Sequence, residues 1–253
     1  MFHWLGKGLT TGIKSSAYPK APDTSLGISP GRPSATRMEE DLANAVAERC
    51  PGQCFTPSAA GASVDYRTCI HCSRCRRDGP VVVQWEQGYE WGVQCDQVQS
   101  VHEELKKAFG RSLHIRFVDA GACGACMSEA RLLNNPYYNM HRLGLFTTAT
   151  PRQADILLVA GPLSDAMRGP LRETYDAMPE PKRVVTMGVC AISGGVFGQS
   201  FASAGGVAEC IPVDVIVPGC PPPPLAILHG LLLAVNRVPG SCLTSTLDKE
   251  IGA

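Results

Sequence analysis

Four short apolar runs after residue 110 alternate with helical stretches, and this alternation constrains the fold more than any other feature. The runs are rich in Val, Ile and Leu, as strands buried on both faces are, and they cover residues 113–118, 155–160, 183–187 and 213–217. Helical candidates lie between or after them at residues 126–133, 165–178 and 224–235. Strands that alternate with helices predict βαβ units and a parallel, doubly wound α/β sheet.

Twelve cysteines in a chain of 253 residues make the redox compartment decisive. They indicate either a secreted disulfide framework or an intracellular metal site. Residues 1–18 lack the apolar core and cleavage site of a signal peptide, and the most apolar segment, residues 225–235, is about half of the ~20 residues that span a membrane. We therefore expect a cytoplasmic protein with reduced thiols. Lys and Arg number 23, as do Asp and Glu, so no broad basic field indicates nucleic-acid binding.

The first part of the chain has a different pattern, and we predict a domain boundary between residues 1–110 and residues 111–253. Residues 18–37 are rich in Pro, Gly and Ser without an apolar period. This composition predicts an extended segment on the surface rather than in the core.

A short amphipathic helix is predicted before that segment. Four apolar side chains recur there at helical spacing, namely Phe2, Leu5, Leu9 and Ile13. We interpret this stripe as a docking face in preference to a membrane-surface anchor.

Four cysteines follow the predicted strands. Cys123 and Cys126 come after the first strand, Cys190 after the third and Cys220 after the fourth. Because ligands of open α/β sheets bind in the crevice at the carboxyl ends of the strands, we expect the four thiols at one edge of the sheet. Gly and Ala around Cys123 leave the backbone free to approach a bulky ligand, and the prolines at 221–224 stiffen the loop after Cys220.

Four soft thiolates suit zinc or an iron-sulfur cluster, and the number of ligands does not separate the two. Two other interpretations compete with a metal site. Cys123-Gly-Ala-Cys126 has the spacing of a thioredoxin-type dithiol, although a dithiol leaves Cys190 and Cys220 without a role. Buried cysteines can also be small apolar core residues. We favour the metal or cluster site because it uses all four thiols.

Four segments stand in a characteristic order: D-A-G-A-C-G-A-C (119–126), P-R-Q-A-D-I-L-L-V-A-G-P (151–162), G-V-C-A-I-S-G-G-V-F (188–197) and I-P-V-D-V-I-V-P-G-C-P-P-P-P (211–224). Residues 118–235 thereby resemble the small subunit of group 4 membrane-bound NiFe hydrogenases, including formate hydrogenlyase, and the related 20 kDa subunit of respiratory complex I. The resemblance implies a flavodoxin-like parallel sheet domain with one proximal 4Fe-4S cluster facing a large subunit. Its implied ligands are Cys123, Cys126, Cys190 and Cys220.

Two local features refine this resemblance. The complex I relatives have their first two cysteines adjacent, so the two residues between Cys123 and Cys126 favour the hydrogenase branch. The hydrogenase pattern commonly has Glu directly after the second cysteine, where this chain has Met127. Glu129 is a nearby carboxylate, either solvated or active in proton transfer. We therefore predict electron transfer in preference to hydrogen turnover.

A second cysteine pattern lies in the first part of the chain. The run C-I-H-C-S-R-C-R-R-D-G-P (69–80) matches the C-x2-C-x2-C-x3-C-P cluster motif, except that Gly79 replaces the fourth cysteine. Cys50-Pro51 matches the Cys-Pro end of another such motif. The remaining cysteine positions of that motif hold Glu40, Ala43 and Val46. Residues 1–95 therefore resemble a degraded two-cluster ferredoxin, similar to the polyferredoxin subunit of formate hydrogenlyase.

A second metal centre is one interpretation of this segment, with Cys69, Cys72 and Cys75 as ligands. The fourth ligand would be one of three further cysteines, Cys50, Cys54 and Cys95, unless a 3Fe-4S form is used. Zinc held by the same thiols is the alternative. In a third interpretation the segment has lost its clusters and is a docking scaffold. Its solvated basic rim would then consist of Arg67, Arg74, Arg76 and Arg77.

We predict an electron-transfer small subunit of a group 4 NiFe hydrogenase-like complex, which is not a complete enzyme on its own. It would pass electrons between a ferredoxin-type or formate-oxidising subunit and a large subunit. Membrane subunits would hold it on the cytoplasmic face of the membrane. The alternatives are a subunit of a complex I-like oxidoreductase without NiFe chemistry and a zinc-binding structural or assembly scaffold.

Overall fold

The computed structural model describes residues 3–12, 14–77, 83–95, 112–242 and 244–246. The first part of the chain consists of short elements. Its helices are α1 (His3–Thr11), α2 (Glu40–Glu48) and α3 (Arg74–Arg77). Its strands are β1 (Arg32–Pro33), β2 (Thr36–Arg37), β3 (Phe55–Ser58), β4 (Gly61–Asp65), β5 (Trp85–Glu86) and β6 (Val93–Gln94).

The second part alternates strands with helices. Its strands are β7 (Leu113–Asp119), β8 (Leu145–Thr147), β9 (Ile156–Ala160), β10 (Arg183–Met187), β11 (Val215–Val217) and β12 (Thr244–Ser245). Its helices are α4 (Ala125–Leu132), α5 (Asp165–Asp176), α6 (Val189–Ser193) and α7 (Pro224–Ala234). Short 3-10 turns lie at Met140–Leu143, Pro151–Gln153 and Val207–Glu209.

The central sheet has the strand order β6-β11-β10-β9-β7-β8. Neighbouring strands from β7 to β11 run parallel, and β6 joins one edge antiparallel. Numbered along the chain, the parallel strands lie in the order 2-1-3-4-5, which is that of flavodoxin-like folds. The predicted parallel α/β sheet is therefore confirmed. The edge strands β6 and β8 were not predicted.

Helix α7 is buried along its whole length and packs on β10 and β11. Its sequence is apolar on all sides, as expected of a helix surrounded by other elements. Within it, His229 is the buried polar exception. Its Nδ1 accepts a hydrogen bond from the N–H of Gly92 at 2.9 Å, and its Nε2 lies 2.9 Å from the carbonyl of Pro239.

The segment at residues 18–37 contributes to this core, so the prediction of a surface course was wrong in part. Tyr18 and Ile28 are buried in the same apolar cluster as α7. The Tyr18 ring packs edge-on against Tyr89, with ring centroids 5.2 Å apart. Leu26, by contrast, is fully exposed. Buried residues that stand singly in a Pro- and Gly-rich stretch, such as Tyr18 and Ile28, do not recur at a regular spacing. Hydrophobic periodicity therefore does not predict their burial.

The predicted amphipathic helix is observed as α1. Trp4, Leu5 and Leu9 are exposed on it, and none of its residues is buried. Phe2 and Ile13 lie outside the described residues. Within the part of the chain that the structure describes, no helix has both the length and the apolar character needed to cross a membrane.

Strands of the first part of the chain pair with strands of the second part. β6 pairs with β11 of the central sheet, and β12, near the end of the chain, pairs with β4. β4 also pairs with β2 and β3, while β1 pairs with β5. The predicted boundary at residue 110 lies outside the described residues and stays a prediction.

Candidate functional site

Three loops at the carboxyl edge of the central sheet carry the four predicted thiols. Cys123 lies between β7 and α4, Cys126 in the first turn of α4, Cys190 in α6 after β10, and Cys220 in the loop after β11. Cys123 and Cys220 are exposed, whereas Cys126 and Cys190 are half-buried. Every pair among the four is close enough for an electrostatic interaction. The structure therefore brings the four thiols together.

Glycines stand where these thiols approach the backbone. Gly188, between β10 and α6, has a φ of 87°, and a Cβ placed on it would lie 2.7 Å from the Sγ of Cys126. A Cβ placed on Gly195, whose φ is 55°, would lie 2.9 Å from the Sγ of Cys190. Both the backbone conformation and the close approach favour glycine at these two positions.

Backbone hydrogen bonds fix the loops relative to the sheet. Asp119, at the end of β7, accepts hydrogen bonds from the N–H of Gly121 at 2.9 Å and of Ala122 at 2.6 Å. This turn directs the chain toward Cys123. The N–H of Val189 donates to the carbonyl of Gly219 at 3.0 Å, which joins the Cys190 loop to the Cys220 loop.

Burial and mutual repulsion both disfavour ionisation of these thiols. Burial, followed by the charges of Cys220, Cys190 and Cys123, raises the pKa of Cys126 to about 12. Burial, followed by Cys220 and Cys123, raises the pKa of Cys190 to about 11. The pKa of Cys220 is also raised, by burial and then by Cys123 and Cys69. A cationic centre among four such sulfurs would remove the repulsion and favour the thiolates.

The donor set has the chemistry of an iron-sulfur site, because four thiols on three loops are typical ligands of such a cluster. Among the described residues, no group of three or more His, Cys, Asp or Glu side chains is placed to hold a metal ion. The bare backbone at Gly188 and Gly195 borders two of the four thiols.

Met127 and Glu129 follow Cys126 on α4. Glu129 is half-buried rather than solvated, and burial raises its pKa. Its charge also acts on Cys126. A role of Glu129 in proton transfer stays a prediction.

A second group of thiols lines one cavity in the first part of the chain. Cys50 follows α2, Cys54 precedes β3, Cys69 and Cys72 lie in the loop after β4, and Cys75 lies in α3. The Sγ atoms of Cys50 and Cys54 are 3.5 Å apart. Two of the three candidate fourth ligands, Cys50 and Cys54, therefore lie beside the C-x2-C-x2-C run.

The third candidate, Cys95, lies elsewhere. Its N–H donates to the carbonyl of Asp214 at 2.9 Å, before β11 begins, and so at the opposite end of that strand from Cys220. The positions of the incomplete first motif lie on α2, where Ala43 and Val46 are buried in a local core. Gly79 lies outside the described residues. The predicted basic rim is exposed and consists of Arg67, Arg74, Arg76 and Arg77.

Three features of the site were not predicted, namely the roles of Gly188, Gly195 and Ser193. The Oγ of Ser193, at the end of α6, donates to the carbonyl of Arg67 at 2.8 Å. This bond places the loop that leads to Cys69 beside the loop of Cys190. The role of Gly188 could have been found from the sequence, because a glycine directly after a strand often marks a close approach of the backbone. The contact between Ser193 and Arg67 joins residues far apart in sequence, and no sequence pattern indicates it.

The family described as NADH ubiquinone oxidoreductase, 20 Kd subunit, matches residues 123–234, a range that contains all four thiols of the sheet edge. The probable membrane-bound hydrogenase subunit mbhJ of Pyrococcus furiosus is 40% identical over 135 residues, which are 53% of this chain and 81% of that protein. This chain belongs to the 20 Kd subunit family. The second group of thiols lies outside the range that the family matches.

Two further proteins are similar to this member of the 20 Kd subunit family. Formate hydrogenlyase subunit 7 of Escherichia coli K12 is 36% identical over 141 residues, 56% of this chain and 55% of that protein. The chain thus spans about half the length of that relative. A chain of a membrane-bound sulfane sulfur reductase, an archaeal respiratory membrane complex, is 30% identical with a TM-score of 0.46, covering 52% of this chain and 73% of that one.

Proposed function

We propose that this chain is the electron-transfer small subunit of a group 4 NiFe hydrogenase-like complex, of the formate hydrogenlyase or energy-converting type. Cys123, Cys126, Cys190 and Cys220 would bind one proximal 4Fe-4S cluster. The observation that carries the proposal is the convergence of these four thiols on three loops at one sheet edge. The similarity to proteins named as subunits of a membrane-bound hydrogenase and of formate hydrogenlyase supports the type of complex.

The residues of this edge have separable tasks in the proposal. The cluster, when bound, supplies a centre that accepts and releases single electrons. The half-buried Cys126 and Cys190 would hold its inner side, while the exposed Cys123 and Cys220 would hold the side that faces outward. Gly188 and Gly195 leave the backbone close to the sulfurs, and such proximity and burial tune the potential of a cluster.

The loop after Cys190 offers a surface for a hydrogenase-like large subunit. Val196, Phe197 and Phe201 are exposed on it, Phe201 completely. Apolar side chains grouped beside a redox site are typical of a protein interface. A ferredoxin-type or formate-oxidising subunit would supply the electrons, and membrane subunits would hold the assembly on the cytoplasmic face of the membrane.

Single replacements test the ligand set. Cys123→Ser, Cys126→Ser, Cys190→Ser and Cys220→Ser should each lower the iron and sulfide content of anaerobically purified protein and its brown absorbance. Cys210→Ser is the matched control, because Cys210 lies outside the group, with its Sγ 3.6 Å from the carbonyl of Arg168. Unchanged iron in all four variants, or a colourless zinc-containing wild type, would contradict the proposal.

A further inference from the structure

We propose that the first part of the chain binds a second 4Fe-4S cluster, held by Cys50, Cys69, Cys72 and Cys75, beside the sheet-edge site. The second cluster would relay electrons to the proximal one. This relay role rests on the proposed function, whereas the existence of the second site does not. The range matched by the 20 Kd subunit family begins after these residues.

The spacing of the cysteines identifies the fourth ligand. In two-cluster ferredoxins, the fourth cysteine of each C-x2-C-x2-C-x3-C-P motif ligates the other cluster. Cys50-Pro51 is the Cys-Pro end of the motif that has otherwise lost its cysteines. Gly79 holds the fourth position of the motif that begins at Cys69, and a cysteine there would have ligated only the cluster that has been lost. The missing cysteine at position 79 therefore does not affect the second cluster, whose four ligands Cys50, Cys69, Cys72 and Cys75 are all present.

The folded chain places these four thiols around one cavity. Cys75 is close enough to Cys69, Cys72 and Cys50 to interact with each of them electrostatically. Gly52 allows the approach of the two loops, because a Cβ placed on it would lie 2.5 Å from the carbonyl oxygen of Thr68. The helix α2 ends just before Cys50 and so delivers this distant ligand to the cavity.

The cysteine loops also have the backbone and donors that an anionic sulfur cluster requires. Among the described residues, five that are not glycine have positive φ, and three of these lie in the cysteine loops: Gln53, His71 and Ser73. Each costs about 1–2 kcal/mol in the left-handed region, and loops with such turns are typical of backbone that binds anions through its amide N–H groups. His71 and Trp85 line the cavity, and each interacts with one of its thiols, His71 with Cys69 and Trp85 with Cys75.

The two sites are neighbours. Ser193, three residues after Cys190, donates its hydroxyl hydrogen bond to the carbonyl of Arg67, two residues before Cys69. Cys69 is also close enough to Cys220 for an electrostatic interaction. A redox centre here would receive one electron from an iron-sulfur carrier protein and be reduced. Passing that electron on would reoxidise it and reduce the proximal cluster by one electron, with no bond formed or broken.

Iron and sulfide analysis of the anaerobically purified full-length chain tests this inference. Two clusters predict about eight iron atoms per chain in the wild type, and Cys50→Ala or Cys69→Ala should leave about four. Cys210→Ala is the matched control, because Cys210 lies outside both groups of thiols, with its Sγ 3.6 Å from the carbonyl of Arg168. It should keep the full iron content. Electron paramagnetic resonance of the reduced wild type should show coupling between two clusters, and either single-cluster variant should lose it.

The outcomes separate this site from the sheet-edge site. About four iron atoms in the wild type, all lost in Cys123→Ser, would overturn the second cluster and leave the proposed function standing. Iron lost in Cys50→Ala but retained in Cys123→Ser would support the second cluster and contradict the proposed function. Zinc that is lost in Cys54→Ala would overturn the inference in favour of a single-ion site. If Cys50→Ala does not fold, the iron count of the wild type still decides.

Discussion

At the scale of the residue, the absence of a side chain at Gly188 leaves room for the thiol of Cys126. An alanine methyl at this position would meet the Sγ of Cys126 at 2.7 Å. We expect Gly188→Ala to displace Cys126 and lower the iron content of the purified chain. The same substitution at a residue with positive φ also strains the backbone, at about 1–3 kcal/mol.

The variant Gly88→Ala is a control that distinguishes backbone strain from displacement of Cys126. Gly88 has a φ of 143°, and a Cβ placed on it would meet nothing within 4 Å. Gly88→Ala should therefore lower the stability toward urea and leave the iron content unchanged. Equal iron loss in both variants would show that strain alone, and not the contact with Cys126, disturbs the site.

His229 makes the stability of the core depend on pH. Burial lowers its pKa, while Pro239 and Glu90 raise it and Arg32 lowers it. The Nδ1 atom accepts a hydrogen bond from the N–H of Gly92, so a proton on Nδ1 would face that N–H and break the bond. Because the pKa in the folded state lies below the value of about 6.5 in the unfolded state, His229 supports folding above that pH. Its contribution is lost as the pH falls below about 6.5.

Urea denaturation at pH 7.5 and at pH 5.5 measures this effect. We expect the wild type to lose up to about 1.4 kcal/mol per pH unit below pH 6.5 through this residue. His229→Gln cannot titrate and should have a flatter profile, even if it is less stable at both pH values. Parallel profiles of the two proteins would exclude His229 as the cause.

At the scale of the element, the sequence predicted those strands whose burial decides their composition. β7, β9, β10 and β11 are apolar runs in the middle of the sheet, and each lies within a few residues of its predicted position. β8 and β6 span three and two residues at the edges. Their pairing depends on what the rest of the chain places beside them, so no local sequence pattern predicts these two strands.

The same distinction holds for the site. Cysteines that follow parallel strands must meet at one edge, and their convergence could therefore be predicted. The approach of Cys50 to the Cys69 loop depends on α2 and on Gly52, and the link from Ser193 to Arg67 joins two elements far apart in sequence. The sequence analysis left Cys50, Cys54 and Cys95 open as the fourth ligand. The tertiary structure separates Cys95 from the other two, and the Cys-Pro position in the motif then favours Cys50.

An ion pair joins β10 to the loop before β11. Arg183 donates to Asp214 at 2.7 Å, and Asp214 also accepts from the N–H of Val184 at 2.7 Å. Burial raises the pKa of Asp214, although the hydrogen bond from Val184 and the charge of Arg183 lower it. Asp214→Asn would leave the buried Arg183 without its counter-charge, and we expect a loss of about 3–5 kcal/mol in the free energy of unfolding.

The exposed pair of Arg172 and Asp176 on α5 is the control. Its side chains are more than half exposed, with 3.4 Å between Nε and Oδ2. Asp176→Asn should cost less than about 0.5 kcal/mol. Urea denaturation of both variants measures the difference. Similar losses would mean that burial does not strengthen the Arg183–Asp214 pair.

At the scale of the whole molecule, strand pairing and a hydrogen bond tie the two parts of the chain together. β6 extends the central sheet, β12 returns to β4, and Ser193 holds Arg67. The second cysteine group is thereby held at the carboxyl edge, next to the first. Apolar side chains remain exposed at this same edge, which leaves it suited to a partner subunit.

Phe201 tests that partner surface. It is fully exposed in the loop after Cys190, and so is Leu26 in the first part of the chain, which serves as a control of similar apolar character. If a large subunit covers the sheet edge, Phe201→Ser should weaken the assembly by about 2 kcal/mol, roughly thirty-fold in affinity. Leu26→Ser should leave it intact. Affinity purification of each tagged variant from its native host in mild detergent, with iron measured on the same samples, compares partner recovery at equal cluster content. Full recovery of the partner with Phe201→Ser would place the interface elsewhere on the molecule.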